Sequence, residues 1–384
     1  MNLGVSAELR DSVRRFLAER APLTRVRELM ETADGIDPGV WRQAGAQLGL
    51  PGIAVPEEYG GAGFSFAEQA IVLEELGAAL FTGPYLASAV LAATALLASD
   101  DEEAKKDLLP GIAAGETVAT LAFTEDDGSW DPASIRLAAT KNAATKNAAT
   151  KNAAAKNNGW RLDGHKSFVL DGHAADLILA VAATGTGGKL SLFAVTSTAD
   201  GLTRRPLPTL DQTRKLARLE FSQVPARLVG EHGAARSVLD HALDVAAVAL
   251  AAEQLGGAQR ALDMAVAYAK VRQQFGRPIG SFQAIKHRCA DLLLEVESLR
   301  SAVGYAAAAV AAGSTEVPVL APLLKAYASE VYSHVAGENI QIHGGIGFTW
   351  EHDAHLYLKR AKASELFLGD ASYHRERLAT RIGL

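Results

Sequence analysis

Twelve residues, Arg272-Gln-Gln-Phe-Gly-Arg-Pro-Ile-Gly-Ser-Phe-Gln283, bring together a fixed cation, an aromatic ring, a Gly/Pro turn and a side-chain amide. A turn between packed helices does not need that set. A bound cofactor carrying phosphates and a flat ring system would use it, since a guanidinium forks onto phosphate oxygens. A second stretch, Gln341-Ile-His-Gly-Gly-Ile-Gly-Phe348, supplies backbone that a ligand can approach closely. Taken alone, it reads as a Gly-rich turn between helices. His343, His352, His355 and His374 cluster near the end of the chain, but none form H-x-x-x-H with a fitting acid, so no zinc site is expected. Lys286 and His287 follow Gln283 on a helical pattern and read either as phosphate neighbours or as a solvated face. Cys289 lies in an amphipathic pattern and reads as buried packing, not as a nucleophile.

These stretches lie in an order of helices, then strands, then helices. Amphipathic or buried-helix patterns cover Glu8–Arg20, Pro38–Gln47, Phe66–Leu76, Ala87–Leu97 and Glu102–Leu109, with loops at Pro51-Gly52 and Tyr59–Gly63. From Val118 the character changes to short runs bounded by turn residues: 120–124, 160–163, 167–170, 177–181 and 190–195, with strands ending near Phe221. Asp163-Gly164, Asp171-Gly172 and Gly185–Gly188 read as turns. Ala-rich helical segments follow over about 235–272, 283–312, 316–342 and 352–382. The pentapeptide Ala-Ala-Thr-Lys-Asn repeats from Ala138 to Asn152 and, imperfectly, to Asn157. Its period fits neither strand nor helix, and its place between two strand patterns reads as an expanded hairpin tip. The order is not the alternation of a doubly wound sheet, and no G-x-G-x-x-G follows a strand, so no Rossmann site is expected.

Composition narrows the class. At 384 residues the chain is long enough for two or three domains. A net charge of −6 without any basic block argues against a nucleic-acid partner. One cysteine cannot form an internal disulfide, which fits a reducing cytoplasm. The N-terminus lacks a signal peptide's apolar region. Gly77–Ser99 is uncharged and long enough to suggest a membrane span, but Gly83-Pro84 breaks it and Thr82, Tyr85, Ser88 and Thr94 sit within it. Two buried helices joined at a turn are expected there, in a soluble cytoplasmic protein.

The Arg272–Gln283 stretch resembles the RxxFG…FQ segment of the acyl-CoA dehydrogenase family of flavoenzymes, and Gln341–Gly347 resembles that family's QxxGGxG loop. Ala122-Phe-Thr-Glu-Asp-Asp-Gly-Ser-Trp-Asp131 is similar to TEPxxGSD: Thr124, Glu125, Gly128 and Ser129 match, Asp126 replaces the proline, and Trp130 is inserted before Asp131. Lys166-Ser-Phe-Val-Leu-Asp-Gly172 is similar to KxWITNG, with Phe168 in place of the tryptophan that flanks the flavin ring and Leu170 in place of the threonine that hydrogen-bonds it. Ala54–Gly61 and Leu210–Arg214 also look like family landmarks, so the resemblance covers nearly the whole chain apart from the insert. It implies an α+β protein with an N-terminal α-helical domain (1–117), a middle β domain (118–224, carrying the insert 138–157) and a C-terminal four-helix domain (225–384). It further implies FAD, an acyl-CoA thioester substrate, an electron-transfer flavoprotein or similar acceptor, and a homo- or hetero-oligomer, dimer or tetramer. The cofactor-binding residues it implies are Phe123, Thr124, Ser129, Phe168, Arg272, Phe275, Gln283, Gln341, Gly344 and Gly345, the last group contacting a flavin bound mainly by a neighbouring subunit.

The family's chemistry needs a carboxylate to remove the proton α to the thioester carbonyl and a flavin to accept the β hydride. In most members a Glu opens the motif YEGTxxxxR. The matching stretch is Leu366–Arg375, where Leu368 takes the base position. Other members place the Glu on the first helix of the C-terminal domain, at the position of Ala246. Three nearby carboxylates are candidates: Glu253, two helical turns beyond Ala246 and roughly 10 Å along the axis; Asp370, two residues beyond Leu368; and Asp244, half a turn before Ala246. Each also has an ordinary reading as a helix polar or cap residue. Two functions stay open: α,β-desaturation of an acyl-CoA, with a bulky or steroid side chain as a guess from resemblance, or a base-less subunit that completes the flavin site of a heteromeric enzyme. A flavin enzyme acting on a non-CoA or nitro substrate ranks below both.

Overall fold

In the computed structural model, which describes residues 3–141, 159–185 and 188–384, helices precede and follow a block of strands. The first helices are α1 (Leu3–Arg20), α2 (Leu23–Met30), α3 (Pro38–Leu48), α4 (Phe66–Ala78), α5 (Ala93–Leu97) and α6 (Glu102–Ala113). The strands are β1 (Ala119–Ala122), β2 (Ala138–Lys141), β3 (Trp160–Leu170), β4 (Leu177–Thr184), β5 (Lys189–Thr196), β6 (Leu202–Leu207) and β7 (Leu216–Val229). There follow α7 (Ala235–Val271), a small hairpin of β8 (Gln273–Gln274) and β9 (Arg277–Pro278), α8 (Gln283–Ala311), α9 (Val317–His343), α10 (Ala354–Leu366) and α11 (Ala371–Ile382).

Local chemistry sets many of these boundaries. Asp37 caps α3 through the amides of Gly39 and Val40, with Pro38 at the first helical position, where its missing N–H costs nothing. Ser65 and Glu68 form a reciprocal capping box at the start of α4. The uncharged Gly77–Ser99 stretch falls into the end of α4, a π-helical turn Leu86–Ala92 and α5. Among the described residues no helix is long and apolar enough to cross a membrane.

The chain divides into two compact units. The unit formed by Leu29–Phe64 and Thr82–Ala246 holds β1 to β7. β4 carries β1 beside its first half and β2 beside its end, both parallel, and pairs antiparallel with β5 in full register from Leu177↔Thr196 to Thr184↔Lys189. β5 pairs β7, β7 pairs β3, and β3 pairs β2, so the sheet closes on itself, with β6 added beside β7. Closure leaves β4 nearly all buried, which is why it reads as an unbroken apolar run. Leu162, Val169, Phe193, Phe221 and Val224 are among the residues that fill the interior.

Asp163-Gly164 does not turn the chain. β3 runs through it as one strand with register shifts at Leu162/Gly164 and at Lys166/Val169, and Gly164 (φ +127°) absorbs the first of these bulges. β2 and β6 do not stand out in the sequence because they are short and mostly exposed, and β7 runs on past Phe221 to Val229, through Pro225. The pentapeptide repeat lies mostly outside the described residues. Its first four residues form β2, paired with β3 from Ala138↔Asp163 to Lys141↔Trp160.

The other unit comprises Met1–Glu28, Ser65–Phe81 and Ala247–Leu384. Its centre is the crossing of α4 and α7. A Cβ at Gly77 would lie 1.9 Å from the Glu253 carbonyl oxygen, and a Cβ at Gly256 would lie 1.7 Å from that of Glu74. The two Glu-x-Leu-Gly segments thus interlock reciprocally, each glycine seated on the other helix's glutamate carbonyl. The side chains of Glu74 and Glu75, both buried, are met by Arg10 at 2.7 Å to each, by Arg14 at 2.9 Å to Glu75, and by Arg300 to Glu74. The expected single segment 352–382 is two helices. Asp370 breaks it by capping α11, accepting the Tyr373 amide at 2.8 Å.

Candidate functional site

In the first of the two units just described, β3 and the end of β1 position one set of expected ligand contacts. The Thr124 hydroxyl donates to the Ser167 carbonyl at 2.5 Å, and the Ser167 amide returns a bond to the Thr124 carbonyl at 3.0 Å. That hydroxyl's proton is therefore engaged within the fold. Phe168 sits in the second bulge of β3 at φ +56°, a left-handed conformation that is uncommon for a bulky residue. The bulge turns Phe168 out while Val169 and Leu170 point into the core. Gly128 (φ +67°) lies under the Phe168 ring, where a Cβ would be 3.8 Å from it. The inserted Trp130 packs on Phe123 with centroids 5.9 Å apart. Ser129 accepts the Asp131 amide at 3.2 Å.

Beneath these residues lies an ion pair that motif reading named without linking. Lys166, fully buried, donates to Glu125 at 2.9 Å and to the Phe123 carbonyl at 3.0 Å. Glu125 also accepts the amides of Arg136 and Leu137 at 2.8 and 2.7 Å. Burial pushes the Glu125 carboxyl up, but Lys166 and the two amides outweigh it and hold it below its ordinary range. For Lys166 burial wins over the attraction and pushes it down to about 8. Asp126, at the family's proline position, accepts from Ser167 and Arg218 and lies 3.2 Å from His165, so it ties this loop to β3 and β7.

The other unit carries the second set. β8 and β9 pair Gln273↔Pro278 and Gln274↔Arg277, so Phe275-Gly276 is a two-residue turn with both residues at positive φ, +54° and +75°. Such turns ask for Asn-Gly or Gly-Gly. Here a phenylalanine takes the first place and is 91% exposed. Phe282 meets Phe275 edge-on at 6.1 Å and carries the Arg277 guanidinium 4.1 Å above its ring. Arg272 and Gln283 are exposed on either side. At the end of α9, Gln341, Gly344 and Gly345 are also exposed, and a Cβ on either glycine would meet nothing within 4 Å. Tyr268 of α7 stacks on His343 of α9 at 4.3 Å, which places both stretches at one end of this unit. A guanidinium, an outward aromatic, two amides and uncovered glycine backbone suit a ligand with phosphates and a flat ring.

The sequence models of three domains match the chain: "Acyl-CoA dehydrogenase, N-terminal domain" over residues 6–116, "middle domain" over 120–224 and "C-terminal domain" over 234–383. It is 36% identical to acyl-CoA dehydrogenase IpdE2 of Mycolicibacterium smegmatis, over 97% of each chain. The chain belongs to the acyl-CoA dehydrogenase family. Among solved structures, a variant of the Tcur3481–Tcur3483 steroid ACAD is 32% identical, with a TM-score of 0.86 over 99% of this chain and 98% of that one. A subunit of the ChsE4–ChsE5 complex from Mycobacterium tuberculosis is 28% identical, with a TM-score of 0.86 over 100% and 98%.

As an acyl-CoA dehydrogenase the protein is a FAD-dependent oxidoreductase acting on acyl-CoA thioesters. The residues present fit the cofactor: the glycine backbone at 344–345 is uncovered, and Arg272 and Phe275 face outward beside it.

The carboxylates are placed less simply. Leu368 is buried in the turn between α10 and α11 at φ +64°, and Ala246 is fully buried on α7. The Leu368 turn is clamped from below. Buried Lys325 donates to the carbonyls of Glu365 at 3.2 Å and Gly369 at 3.1 Å, and the His374 ring bonds the Leu368 carbonyl at 3.0 Å. Burial, then the Lys325 charge, pushes His374 down to about 3, so its neutral ring donates this bond. Glu253 meets Arg360 at 2.8 Å, with both side chains nearly buried. Asp370 is exposed and caps α11, and Asp244 is buried on α7. His287 and Lys286 are exposed, and Cys289 is half-buried, with burial pushing its thiol up.

Proposed function

We propose that this chain works in the α,β-desaturation of an acyl-CoA thioester, with its cofactor contacts divided into two groups. Arg272, Phe275, Gln283, Gln341, Gly344 and Gly345 hold the adenosine diphosphate part of a flavin bound mainly by a neighbouring subunit. Phe123, Ser129, Phe168 and the backbone of Thr124 line the ring of the chain's own flavin. The observation that carries this reading is the Phe275-Gly276 turn. A large ring held 91% exposed in a left-handed conformation costs about 1 kcal/mol or more, and inside the protomer it is met only edge-on, by Phe282 among the described residues. Held by these residues, FAD would supply the acceptor for the substrate's β hydride. The chain's own part is to bind and orient: Arg272 offers charge to the pyrophosphate, the open glycine backbone at 344–345 lets a ligand approach closely, and the Lys166–Glu125 pair keeps the strand ends beneath Phe123 and Phe168 fixed.

The α proton needs a carboxylate. In one reading Asp244, Asp370 or Glu253 receives it. A second reading draws on the apolar burial of Leu368 and Ala246 and on the pairing of Glu253 with Arg360. In that reading the carboxylate belongs to another subunit, and this chain is the flavin-completing partner in a heteromer. A steroid-like or otherwise bulky acyl group is the substrate class we favour, since a similar structure is described as a steroid ACAD. An electron-transfer flavoprotein or similar acceptor then reoxidises the cofactor in the cytoplasm.

The test is the visible spectrum of the purified chain and its anaerobic bleaching by an acyl-CoA. Bleaching by the chain alone, abolished by one of Asp244→Asn, Asp370→Asn or Glu253→Gln, supports the self-sufficient enzyme. Bleaching only when a Glu-bearing related chain is co-expressed supports the heteromer. A colourless protein under both conditions overturns both readings.

A further inference from the structure

Three rings join the ends of α7 and α9 to the segment before α10. Tyr268 stacks on His343 with centroids 4.3 Å apart and planes at 26°, and His343 lies 4.3 Å from His352 at 47°. None of the three belongs to the residues assigned above to the cofactor.

Each of the two histidines is held in place. His343 is 5% exposed, and its Nδ1 lies 2.8 Å from the Asn339 carbonyl. A carbonyl only accepts, so Nδ1 carries the proton and the ring cannot flip without losing that bond. The Nδ1 of His352 receives the Ala354 amide at 3.1 Å, which makes it the acceptor nitrogen. The His352 carbonyl accepts from Arg27 at 3.1 Å, and the same guanidinium meets Asp353 at 2.7 Å. Gly347 closes the stack from the loop side: a Cβ there would lie 2.8 Å from the His343 Cβ and 3.2 Å from the Ile340 carbonyl.

The ladder touches the backbone of both proposed cofactor segments. The Tyr268 carbonyl accepts the Arg272 amide at 2.8 Å, so the first rung is bonded to the residue that starts the β8–β9 hairpin. His343 is the last residue of α9 and immediately precedes Gly344, whose φ of +63° and ψ of −144° turn the chain into the open loop. Rotating or removing the middle ring would uncouple two backbone segments that the sequence places about seventy residues apart.

We propose that the Tyr268–His343–His352 ladder is a positioning device that sets the spacing between the Arg272 hairpin and the Gly344-Gly345 loop, and thereby the affinity of this end of the protein for FAD. The proposal rests on the reading that these two segments bind the cofactor. His343 acts through its neighbours and takes no part in proton transfer.

The test compares His343→Ala, His343→Phe and Tyr268→Leu with the wild-type holoprotein. The readouts are the FAD dissociation constant from flavin fluorescence, the visible circular dichroism of the bound flavin, and thermal unfolding of each apoprotein. His343→Ala is expected to weaken FAD binding tenfold or more and to alter the flavin dichroism. His343→Phe keeps a stacked ring and should stay within about threefold of wild type. Tyr268→Leu, at a half-buried position, should weaken binding about fivefold while apoprotein unfolding stays unchanged. It also carries the test should His343→Ala not fold. FAD affinity within twofold of wild type in both His343→Ala and Tyr268→Leu overturns the ladder and leaves the cofactor assignment standing. A wild-type protein that binds no FAD, either alone or co-expressed with a Glu-bearing related chain, overturns that assignment and the ladder with it; where FAD is held only in the co-expressed complex, the variants are compared in that complex.

Discussion

Breaking the Glu253–Arg360 pair separates a structural carboxylate from a catalytic one. Glu253 and Arg360 meet at 2.8 Å with side chains 10% and 3% exposed, close to the limit in which neither charge is hydrated. Removing one partner takes the opposite charge away from a nearly buried group, at a cost of about 3–5 kcal/mol. Arg360→Met should therefore lower the melting temperature by about 6–10 °C, taking roughly 2 °C per kcal/mol for a chain larger than a small domain. Glu253→Gln should do nearly as much, since it removes the carboxylate charge beside a buried guanidinium. The double change Glu253→Leu with Arg360→Met should recover most of the loss, because a buried pair replaced by apolar groups of similar volume is often neutral. The assay is thermal unfolding of the four proteins as a double-mutant cycle, with flavin bleaching by an acyl-CoA measured on the same samples. The structural argument predicts a coupling energy of several kcal/mol and bleaching that follows the folded fraction. A Glu253→Gln protein that melts within about 1 °C of wild type yet no longer bleaches would refute it and make Glu253 the base.

Three further outcomes are expected. Lys166 titrates at about 8 in the folded chain against an ordinary 10.5. The unfolded chain therefore holds a proton there that the folded chain has released between those pH values, and stability owed to this site rises with pH across that window, by about 3 kcal/mol in all. The difference in unfolding free energy between wild type and Lys166→Met at pH 8 and pH 10.5 measures it, and a flat difference contradicts the burial argument. Gly77→Ala pushes a methyl into the Glu253 carbonyl and should cost several kcal/mol or prevent folding, seen as loss of soluble protein or of a cooperative melt; a change within 0.5 kcal/mol means the α4–α7 crossing can slide. Phe275→Gly relieves the left-handed strain and should keep or raise the melting temperature while weakening FAD binding, and unchanged FAD affinity removes Phe275 from the cofactor site.

Helix positions were legible wherever caps and periodicity agreed, as at Asp37-Pro38 and at Ser65–Glu68. Legibility failed where pairing across the sheet overrode local signals. Asp163-Gly164 has the composition of a turn, but β2 and β7 hold it on both sides and absorb it as a bulge. The break at 367–370 was also invisible as periodicity, because the residues that make it, Lys325 and His374, approach from α9 and α11. At the site, Arg272, Phe275, Gln283, Gln341, Gly344 and Gly345 could be picked out by type and spacing. The engaged hydroxyl of Thr124 could not, because its acceptor is forty-three residues away on another strand.

Two things about this protein are properties of the linear chain: which chemistry it can carry, and which it lacks. The residue types that the family resemblance assigns to a flavin site, a cation, a ring, an amide and glycine backbone, are present, and leucine and alanine stand at the two positions where that resemblance would place a carboxylate. Only the tertiary structure decided how the remaining charges are used. Glu253 is neutralised by Arg360, Lys166 is drawn down by burial against Glu125, and Phe275 is held outward in a left-handed turn. The physical reason is that a charge's free energy depends on its solvation and its partner, and both are set by residues distant in sequence and adjacent in space.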